Sequence, residues 1–473
     1  MRKKEPFMLN KNQKYTIEIT GLTHEGQGVG NIDGFVVFVD GALPEETVEV
    51  LIVKVTKSYA VGKLLEIKKT SAHRVEPFCK VYKRCGGCSM QHLDYEEQLK
   101  LKADVIVQNL KRLGGIDMDR VKVHPAIGME QPFQYRNKVQ YPVGVQNGEV
   151  KIGFFANRSH DIIDSDECEI QPAESNSIRE IIRNFAQNSS ISIYDEASGK
   201  GLLRHVMVRK GFTTNELMVV LVLNGRKLPN AKDLVSQLTQ AFSTIKSIYI
   251  NVNTKKTNII LGNESILLFG QKYISDYIGK YKFNISPLSF FQVNPIQTEK
   301  LYSKALEFAA LTGGENVFDL YCGIGTISLF LSEKAGKVIG VEVVPEAIAD
   351  AKENARINGV DNAEFYVGEA EKVIPELYNK GMRADVVVLD PPRKGCDQVL
   401  LDTLVEMKPE RIVYVSCNPA TLARDVGFLS KNGFELKEVQ GVDMFPWTNH
   451  TETVCLIETP KFTVRNNSDT KLY

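Results

Sequence analysis

The spacing of hydrophobic positions divides the chain into three regions. Between Lys14 and about Lys69, short β-type runs such as "YTIEI", "GFVVFV" and "ETVEVLIVKV" alternate with glycine-containing turns. Short strands at this spacing predict a small all-β, OB-like barrel over residues 8–67. Residues 68–290 mix a helical stretch with paired runs, "RHVMVRK" with "ELMVVLVLNG" and "SIYINVN" with "NIILG". We therefore expect a central α+β domain in this region.

From about Asn316 the pattern changes to a strict alternation of strands and helices. The predicted strands are "NVFDL", "KVIGVEV", "AEFYV", "ADVVVLD", "RIVYVS" and "TVCLIET", and helices such as "QVLLDTLVEM" and "PATLARDVGFLSKNG" lie between them. Unbroken runs of Val and Ile indicate strands buried on both faces, which means a parallel sheet covered by helices. We predict a Rossmann-like α/β domain over residues 291–460 and a polar tail over 461–473.

The overall composition does not indicate a binding partner, whereas the distribution of charge along the chain does. The chain has 473 residues, is 43% hydrophobic, and carries 58 Lys plus Arg against 58 Asp plus Glu. Between Leu51 and Arg74, however, six basic residues stand against the single acid Glu66: Lys54, Lys57, Lys63, Lys68, Lys69 and Arg74. This stretch gives one end of the barrel a positive field suited to nucleic acid, although a solvated strand face accounts for it equally well.

The chain has the sequence features of a cytoplasmic protein without a membrane segment. Its basic start, "MRKKEPFMLNKNQKY", is followed by no apolar core of a signal peptide. No apolar run approaches the ~20 residues of a membrane span. We expect a monomer whose eight cysteines are mostly reduced.

The segment "VFDLYCGIGTISL" predicts a cofactor site at the start of the α/β domain. Gly323 and Gly325 follow the first strand, where backbone must approach a ligand, and the second strand ends in Glu342. An acid there can accept both hydroxyls of a ribose. Ser328 stands where a dinucleotide fingerprint has its third glycine, so S-adenosylmethionine is favoured and NAD is the alternative. The fourth strand ends in Asp390, followed by two prolines that hold it at the same sheet edge.

Cys417, in "IVYVSCNPATLARD", is the candidate nucleophile. It follows the fifth strand, and the helix that begins after it is expected to lower the thiol pKa from about 8.5. The alternative is a core cysteine. A methyltransferase needs a thiolate when the acceptor is C5 of a pyrimidine, because addition at C6 makes C5 nucleophilic and a base must then remove the C5 proton. Glu452 and His450, before the last strand, compete for the role of base.

Four further cysteines suggest a metal site. "PFCKVYKRCGGCSMQH" contains Cys79, Cys85 and Cys88 at spacing C-x5-C-x2-C, and Cys168 is the candidate fourth ligand. Clustered cysteines in a cytosolic chain indicate metal binding. Zinc and a [4Fe-4S] cluster both take four thiolates, and the spacing does not choose between them.

The motifs "DPPRKG", "VYVSCNPATLARD" and "HTETV", behind "FDLYCGIGT", resemble those of the RNA uracil-5-methyltransferase family. The resemblance implies that Cys417 is the nucleophile and Glu452 the proton acceptor. It also implies that S-adenosylmethionine contacts four residues: Gln292, Tyr321, Glu342 and Asp390. A related class that makes 5-methylcytosine has a cysteine within the fourth-strand motif, and "DPPR" has none, so uracil is favoured.

The cysteine pattern resembles one branch of that family, which acts on 23S (large-subunit) ribosomal RNA. This resemblance implies a [4Fe-4S] cluster on Cys79, Cys85, Cys88 and Cys168, with zinc as the alternative. Four protein ligands close the cluster, so a radical mechanism on it is not expected. The N-terminal barrel resembles the RNA-binding TRAM domain, which also favours ribosomal RNA. Two alternatives remain: the same chemistry on transfer RNA, and a non-catalytic iron-sulfur RNA-binding protein.

Overall fold

The computed structural model describes residues 9–23 and 25–460. The first residue of the predicted barrel and the predicted polar tail, 461–473, lie outside these ranges. The described chain forms two compact units. The first unit comprises the described residues of Met1–Val105, Ala126–Glu299 and Asp443–Thr451, and the second those of Ile106–Pro125, Lys300–Val442 and Glu452–Tyr473. The three-domain division at 67/68 and 290/291 stays a prediction.

The first unit opens with a closed five-stranded barrel. Its strands pair in the order β1-β2-β3-β5-β4. Their bounds are β1 Lys14–Leu22, β2 Gly28–Ile32, β3 Phe35–Val39, β4 Thr47–Val55 and β5 Tyr59–Lys69. Alternate residues such as Val37, Val39, Val48 and Val50 are fully buried inside it. The predicted barrel is therefore present, built from the β-branched alternation in the sequence.

The basic stretch on the barrel is exposed except at its end. Lys54, Lys57, Lys63, Lys68 and Lys69 are all exposed, as an RNA-facing field requires. Arg74 differs, because its guanidinium pairs with the buried carboxylate of Glu46 at 2.6 Å. The predicted field consequently consists of lysines, and Arg74 stabilises the fold instead.

A six-stranded sheet in the order β14-β13-β12-β11-β7-β8 forms the core of the rest of the first unit. Helices α2 and α3 pack on it through Ile178, Ile182, Leu234 and Leu238. The strands of this region are β7 Lys138–Gln146, β8 Glu149–Ile152, β9 Phe154–Phe155, β10 Ile162–Ile163, β11 Leu203–Lys210, β12 Leu217–Leu223, β13 Ile245–Val252, β14 Glu264–Gly270, β15 Ile274–Ile278 and β16 Tyr281–Ile285. The helices are α1 Tyr95–Arg112, which runs on into the second unit, α2 Ala173–Asn188 and α3 Ala231–Ala241.

One predicted strand pair of this sheet is wrong. The partner of β13 is β14, whereas the predicted partner, "NIILG" at 258–262, is irregular. The side-chain amide of Asn253 donates to the carbonyl oxygens of Ile259 and Ile260, and that of Asn251 donates to the carbonyl oxygen of Gly262. These hydrogen bonds occupy backbone carbonyl oxygens that would otherwise be available for pairing with a neighbouring strand. The predicted pair β11 and β12 is antiparallel, as expected.

The second unit is built on an eight-stranded sheet in the order β19-β18-β17-β20-β21-β23-β22-β6. Strands β17 to β21 pair in parallel, and β23 runs antiparallel to both of its neighbours. The strands are β6 Lys122–Ile127, which ends in the first unit, β17 Asn316–Leu320, β18 Lys337–Glu342, β19 Ala363–Val367, β20 Val386–Leu389, β21 Arg411–Ser416, β22 Glu435–Val442 and β23 Glu452–Glu458. The helices are α4 Pro295–Ala309, which begins in the first unit, α5 Thr326–Ser332, α6 Pro345–Ile357, α7 Ala370–Asn379, α8 Gln398–Met407 and α9 Pro419–Lys431.

The position of β23 brings two distant parts of the chain together. Because β23 lies between β21 and β22, Ser416 pairs with Thr453, and Val442 pairs with Glu452. The residue after Ser416 and the residue before Thr453 are therefore neighbours at one sheet end. Among the described helices, none is long and apolar enough to cross a membrane.

Candidate active site

The turn after β17 holds three residues in the left-handed region of backbone space. Tyr321, Gly323 and Gly325 have φ values of 69°, 54° and 81°. The N–H groups of Tyr321 and Cys322 both donate to the Val341 carbonyl oxygen, at 2.9 and 3.1 Å. A bulky residue with positive φ is strained, and such strain occurs where a backbone is shaped for a ligand. The turn therefore presents its backbone at the carboxyl edge of the parallel strands.

Glu342 is joined to this turn. It ends β18, is half-buried, and accepts hydrogen bonds from the N–H groups of Gly323, at 3.3 Å, and Val344, at 3.0 Å. These bonds hold the carboxylate beside the glycine turn, as the sequence spacing predicts. An acid in this position can accept ribose hydroxyls.

Asp319, which is not among the predicted site residues, lies beneath the same turn. It is fully buried in β17, and its Oδ2 accepts a hydrogen bond from the Ser328 hydroxyl. Its Oδ1 is buried without a hydrogen-bond partner in the structure. Burial raises the pKa of Asp319 to about 7, and the charge of Glu342 adds to this increase. An acceptor buried next to the glycine turn fits a site that binds a positively charged or hydroxyl-bearing ligand.

Asp390 lies where the sequence predicts it, directly after β20. Its N–H donates to the Leu320 carbonyl oxygen at 3.2 Å, which ties it to the end of β17. Burial, followed by the charge of Asp319, raises its pKa to about 7. Glu342 ends β18, and Tyr321 and Asp390 directly follow the adjacent strands β17 and β20, so the three residues lie at one sheet edge.

Cys417 follows β21 and is half-buried. The Asn418 side chain caps α9 by accepting the Ala420 N–H at 3.0 Å, so the thiol does stand before a helix start. The expected fall in thiol pKa is nevertheless wrong. Burial, then the negative charges of Glu452 and Asp390, raise the pKa of Cys417 to about 11, and the Arg393 charge opposes them only in part. Desolvation and two nearby carboxyl groups outweigh the helix end.

Glu452 is the carboxyl group next to this thiol. It is the first residue of β23, 5% exposed, and directly precedes the Thr453 that pairs with Ser416. Burial, then the charge of Asp390, raise its pKa well above the usual value, and Arg393 opposes the increase. His450 is exposed, with its ring 6.0 Å from that of Phe445. Of the two predicted bases, Glu452 is the one whose charge acts on the thiol.

The loop after β20 is fixed against α9. The Arg393 carbonyl oxygen accepts hydrogen bonds from Asn418 Nδ2 at 3.1 Å and Thr421 Oγ1 at 3.2 Å. Buried Asp425 accepts from the Cys396 N–H at 2.8 Å and from the Tyr414 hydroxyl at 2.7 Å. These bonds hold a loop whose cation, Arg393, acts on both Cys417 and Glu452.

Gln292 lies in the first unit, whereas the other predicted cofactor residues lie in the second. It is half-buried, and its backbone carbonyl oxygen accepts a hydrogen bond from Asn137 Nδ2 at 2.8 Å. Its contact with the cofactor stays a prediction.

The four predicted metal ligands gather in the first unit. Cys79, Cys85, Cys88 and Cys168 all line one cavity of about 280 Å³. Burial and the neighbouring cysteines raise the thiol pKa to about 12 for Cys88 and about 11 for Cys168. Within the described part of the chain, however, no three Cys, His, Asp or Glu side chains form a group that could hold a metal ion. The structure therefore brings the thiols to one cavity without assembling a ligand shell.

The lining of the cavity also includes basic side chains. Arg136 and Lys138 also line it, and burial, then the charges of Arg209 and Arg136, lower the pKa of Lys138 to about 8. Cations beside four thiols compensate the negative charge of a thiolate-ligated metal. Burial raises the pKa of the Cys85, Cys88 and Cys168 thiols, so a bound cation would favour their ionised form. The thiols and cations are of the chemical kinds that a thiolate-ligated metal uses, whereas the described side chains do not form an assembled ligand group.

A sheet with a glycine turn, strand-end acids and a thiol at its carboxyl edge defines a class, the S-adenosylmethionine-dependent methyltransferases. Residues 94–459 match the family described as tRNA (Uracil-5-)-methyltransferase, and residues 9–65 match the TRAM domain. The chain belongs to this family of RNA uracil-5-methyltransferases.

Its relatives agree with this assignment. An "uncharacterized RNA methyltransferase" of Clostridium tetani is 55% identical over 454 residues, which cover 96% of this chain and 98% of the relative. Another of that description from Halalkalibacterium halodurans is 51% identical over 455 residues, covering 96% and 99%. Among solved structures, the Pyrococcus abyssi tRNA (uracil-54, C5)-methyltransferase in complex with S-adenosyl-L-homocysteine has a TM-score of 0.75 and 30% identity. The similarity covers 94% of this chain and 100% of the Pyrococcus abyssi chain.

Proposed function

We propose that this protein methylates C5 of a uridine in large-subunit (23S) ribosomal RNA in the cytoplasm, with Cys417 as nucleophile and Glu452 as proton acceptor. The observation that carries the proposed chemistry is the proximity of a thiol and a buried carboxyl group across β21 and β23. Acceptors that already have a lone pair do not need this combination, whereas C5 of a pyrimidine does.

In the proposed reaction, the Cys417 thiol first loses its proton to water, and the resulting thiolate forms a bond to C6 of a uracil that has been flipped out of its stack. The electrons of the C5=C6 double bond move toward the C4 carbonyl, and C5 becomes nucleophilic. When bound, S-adenosylmethionine supplies the electrophilic methyl group and a positive sulfonium charge. A positive charge beside Asp390 would offset a carboxylate that disfavours the Cys417 thiolate.

Glu452 completes the proposed cycle. After methylation, C5 carries both the methyl group and a proton. The Glu452 carboxylate takes that proton, the double bond re-forms, and the C6–S bond breaks to release Cys417. Tyr321, Glu342, Asp390 and Gln292 are the proposed cofactor contacts. The buried, unpartnered oxygen of Asp319 at the glycine turn supports a ligand in this position.

The cysteine cavity is proposed to hold a [4Fe-4S] cluster through Cys79, Cys85, Cys88 and Cys168, with zinc as the alternative. Four thiols lining one cavity and the cationic side chains beside them support this assignment. Four protein ligands leave no open coordination position, so the group has a structural or RNA-positioning role. Lys80, Lys83 and Arg84 near the cavity are exposed and suit contact with phosphates.

Transfer RNA is the second candidate substrate. The similarity to the Pyrococcus abyssi tRNA (uracil-54, C5)-methyltransferase covers 94% of this chain, and the remaining 6% is too short to contain the barrel. The presence of the barrel therefore does not distinguish an enzyme for ribosomal RNA from one for transfer RNA. The barrel no longer supports ribosomal RNA as the substrate. The preference for ribosomal RNA rests on the cysteine pattern.

We expect a strain that lacks this protein to lose 5-methyluridine from its large-subunit ribosomal RNA. Mass spectrometry of nuclease digests, with transfer RNA from the same cells as the internal comparison, measures the loss. Loss confined to transfer RNA would favour the second candidate. Unchanged 5-methyluridine in both RNA classes, together with no transfer to either RNA by the purified enzyme, would exclude the proposed function.

We expect the anaerobically purified protein to contain iron and sulfide at about four of each per chain. Cys85→Ser and Cys168→Ser should each reduce this content, because each removes one thiolate. Cys455→Ala, a buried strand cysteine outside the cavity, is the control and keeps it. Elemental analysis and visible absorption measure the content, and stoichiometric zinc in place of iron would overturn the cluster assignment.

A further inference from the structure

The loop that joins β22 to β23, Asp443–Thr451, is held by a buried ion pair and by several hydrogen bonds to other parts of the chain. It belongs to the first unit, although both strands that it connects belong to the second. We call it the Trp447 loop. Its last residue directly precedes Glu452, and Glu452 pairs with Val442, the residue immediately before the loop. Whatever fixes this loop therefore acts through one peptide bond on the proposed base.

The start of the loop is fixed by a buried ion pair. Lys102 Nζ donates to Asp443 Oδ1 at 2.6 Å, and both side chains are almost fully buried. The Tyr95 hydroxyl donates to Asp443 Oδ2 at 2.9 Å. Gln297 Nε2 donates to the Asp443 carbonyl oxygen at 3.1 Å. Removing any one of these partners would leave a buried polar group unsatisfied, so this end has a single stable position.

The centre of the loop is fixed at Trp447. Its indole N–H donates to the Pro132 carbonyl oxygen at 2.6 Å, and its own carbonyl oxygen accepts the N–H groups of Ser89 and Met90, each at 3.0 Å. Trp447 has a φ of 67°, which is strained for a bulky residue. Strain of this kind persists only where surrounding contacts enforce it, and it is concentrated at functional sites.

Two of the proposed metal ligands pack against the cluster that contains Trp447. The indole packs in a buried cluster with Met129, Tyr135 and Ile170, and Cys88 and Cys168 pack against the same cluster. Ser89, which binds the Trp447 carbonyl oxygen, directly follows Cys88 in the chain. Ile170, Cys88 and Cys168 line the cysteine cavity and also belong to, or pack against, the cluster of Trp447.

We propose that the Trp447 loop positions Glu452 for proton removal and that the occupied cysteine site forms part of the structure that holds the loop. Trp447 is then a positioning residue, and the metal site affects the elimination step without taking part in the chemistry. This inference rests on the proposed roles of Glu452 and the cysteine site. It explains why a strained, buried tryptophan stands five residues before the base.

The test separates the addition of the thiol from the elimination that Glu452 performs. RNA with 5-fluorouridine is captured covalently without proton removal, whereas RNA with uridine must pass through it. We expect Trp447→Ala to capture 5-fluorouridine RNA at the wild-type rate, to release 5-methyluridine about ten-fold more slowly, and to accumulate the methylated covalent complex. Trp447→Phe, which keeps the aromatic packing, should restore most of the release rate. Phe269→Ala, an exposed aromatic residue of the same unit, is the control.

Fluorescence tests the link to the cysteine site independently of activity. Trp447 is the only tryptophan of the chain, so its emission reports on the loop, and Trp447→Phe gives the background of the 17 tyrosines. Removing the metal anaerobically should shift the emission maximum to longer wavelength and slow release. Reconstitution with iron and sulfide should reverse both changes.

Each outcome has a distinct meaning. Release by Trp447→Ala at the wild-type rate, or loss of its 5-fluorouridine capture, overturns the positioning role. An emission maximum and a release rate that are unchanged on metal removal overturn the role of the cysteine site. Failure of the wild-type protein to capture 5-fluorouridine RNA contradicts the proposed function itself, and the emission shift then tests the packing of the loop alone.

Discussion

Cys417→Ala is expected to abolish covalent capture of RNA that carries 5-fluorouridine and to reduce 5-methyluridine formation by at least about 10⁴-fold. The reason is chemical, since without a thiolate at C6 the C5 carbon of uracil has no electron pair to attack a methyl group. Capture requires S-adenosylmethionine and leaves a protein–RNA adduct, because fluorine cannot leave C5 as a proton does. Denaturing electrophoresis and intact-mass measurement of the adduct give the result.

The control for this substitution is another cysteine of the same sheet. Cys455 lies in the interior of β23 and is fully buried, and Cys455→Ala should capture the RNA normally. S-adenosylmethionine binding to Cys417→Ala, measured by calorimetry, should be unchanged and would show that the site is folded. Adduct formation by Cys417→Ala would show that another nucleophile operates.

Glu452→Gln is expected to slow turnover by roughly 10² to 10⁴-fold while the methylated covalent complex accumulates. The amide retains the shape of the side chain but cannot accept the C5 proton, so the cycle stops after methyl transfer. Capture of 5-fluorouridine RNA should continue, because it precedes proton removal. Glu458→Gln, at the far end of the same strand, is the matched control. Normal turnover by Glu452→Gln would assign the base to His450 or another group.

The raised pKa of Glu452 gives this step a pH dependence of known sign. Burial and the charge of Asp390 raise the pKa, so the carboxyl group is protonated over a wider pH range than usual. Only the carboxylate accepts a proton, and release of 5-methyluridine should therefore increase as the pH rises through the raised pKa. Single-turnover release measured against pH should show this increase for the wild type and lose it in Glu452→Gln.

The sequence predicted the parallel part of the second-unit sheet well because its pattern is local. Runs rich in Val and Ile form the buried strands β20 and β21, whereas β19, at the sheet edge, is only partly buried. The observed bounds of β17, β19 and β21 coincide with the predicted segments. The predictions did not include β22, "ELKEVQGV", whose hydrophobic residues are separated by charged ones and a glycine. The insertion of β23 between β21 and β22, which brings Glu452 to Cys417, is a long-range property that no local pattern encodes.

The electrostatics of the site were predicted least well. A helix start after Cys417 is visible in the sequence, and it suggested a lowered thiol pKa. The opposing contributions come from Asp390 and Glu452, which are distant in the chain and meet the thiol only in the folded sheet. The prediction that Arg74 belongs to the exposed basic field was wrong for the same reason. Its partner Glu46 lies 28 residues earlier in the chain and is buried in the barrel. The charge pattern of a sequence does not show ion-pair partners that are distant in the chain and close in the folded protein.

The proton that Cys417 retains also has a protective effect. Peroxides and alkylating agents attack thiolates rather than thiols, and a sulfur with a pKa of about 11 is almost entirely in the thiol form at neutral pH. The proposed nucleophile should therefore react slowly with such agents in the free protein, and the proposed reaction requires surroundings that lower its pKa. Peroxide should oxidise this sulfur more slowly than it oxidises a cysteine that is ionised at neutral pH.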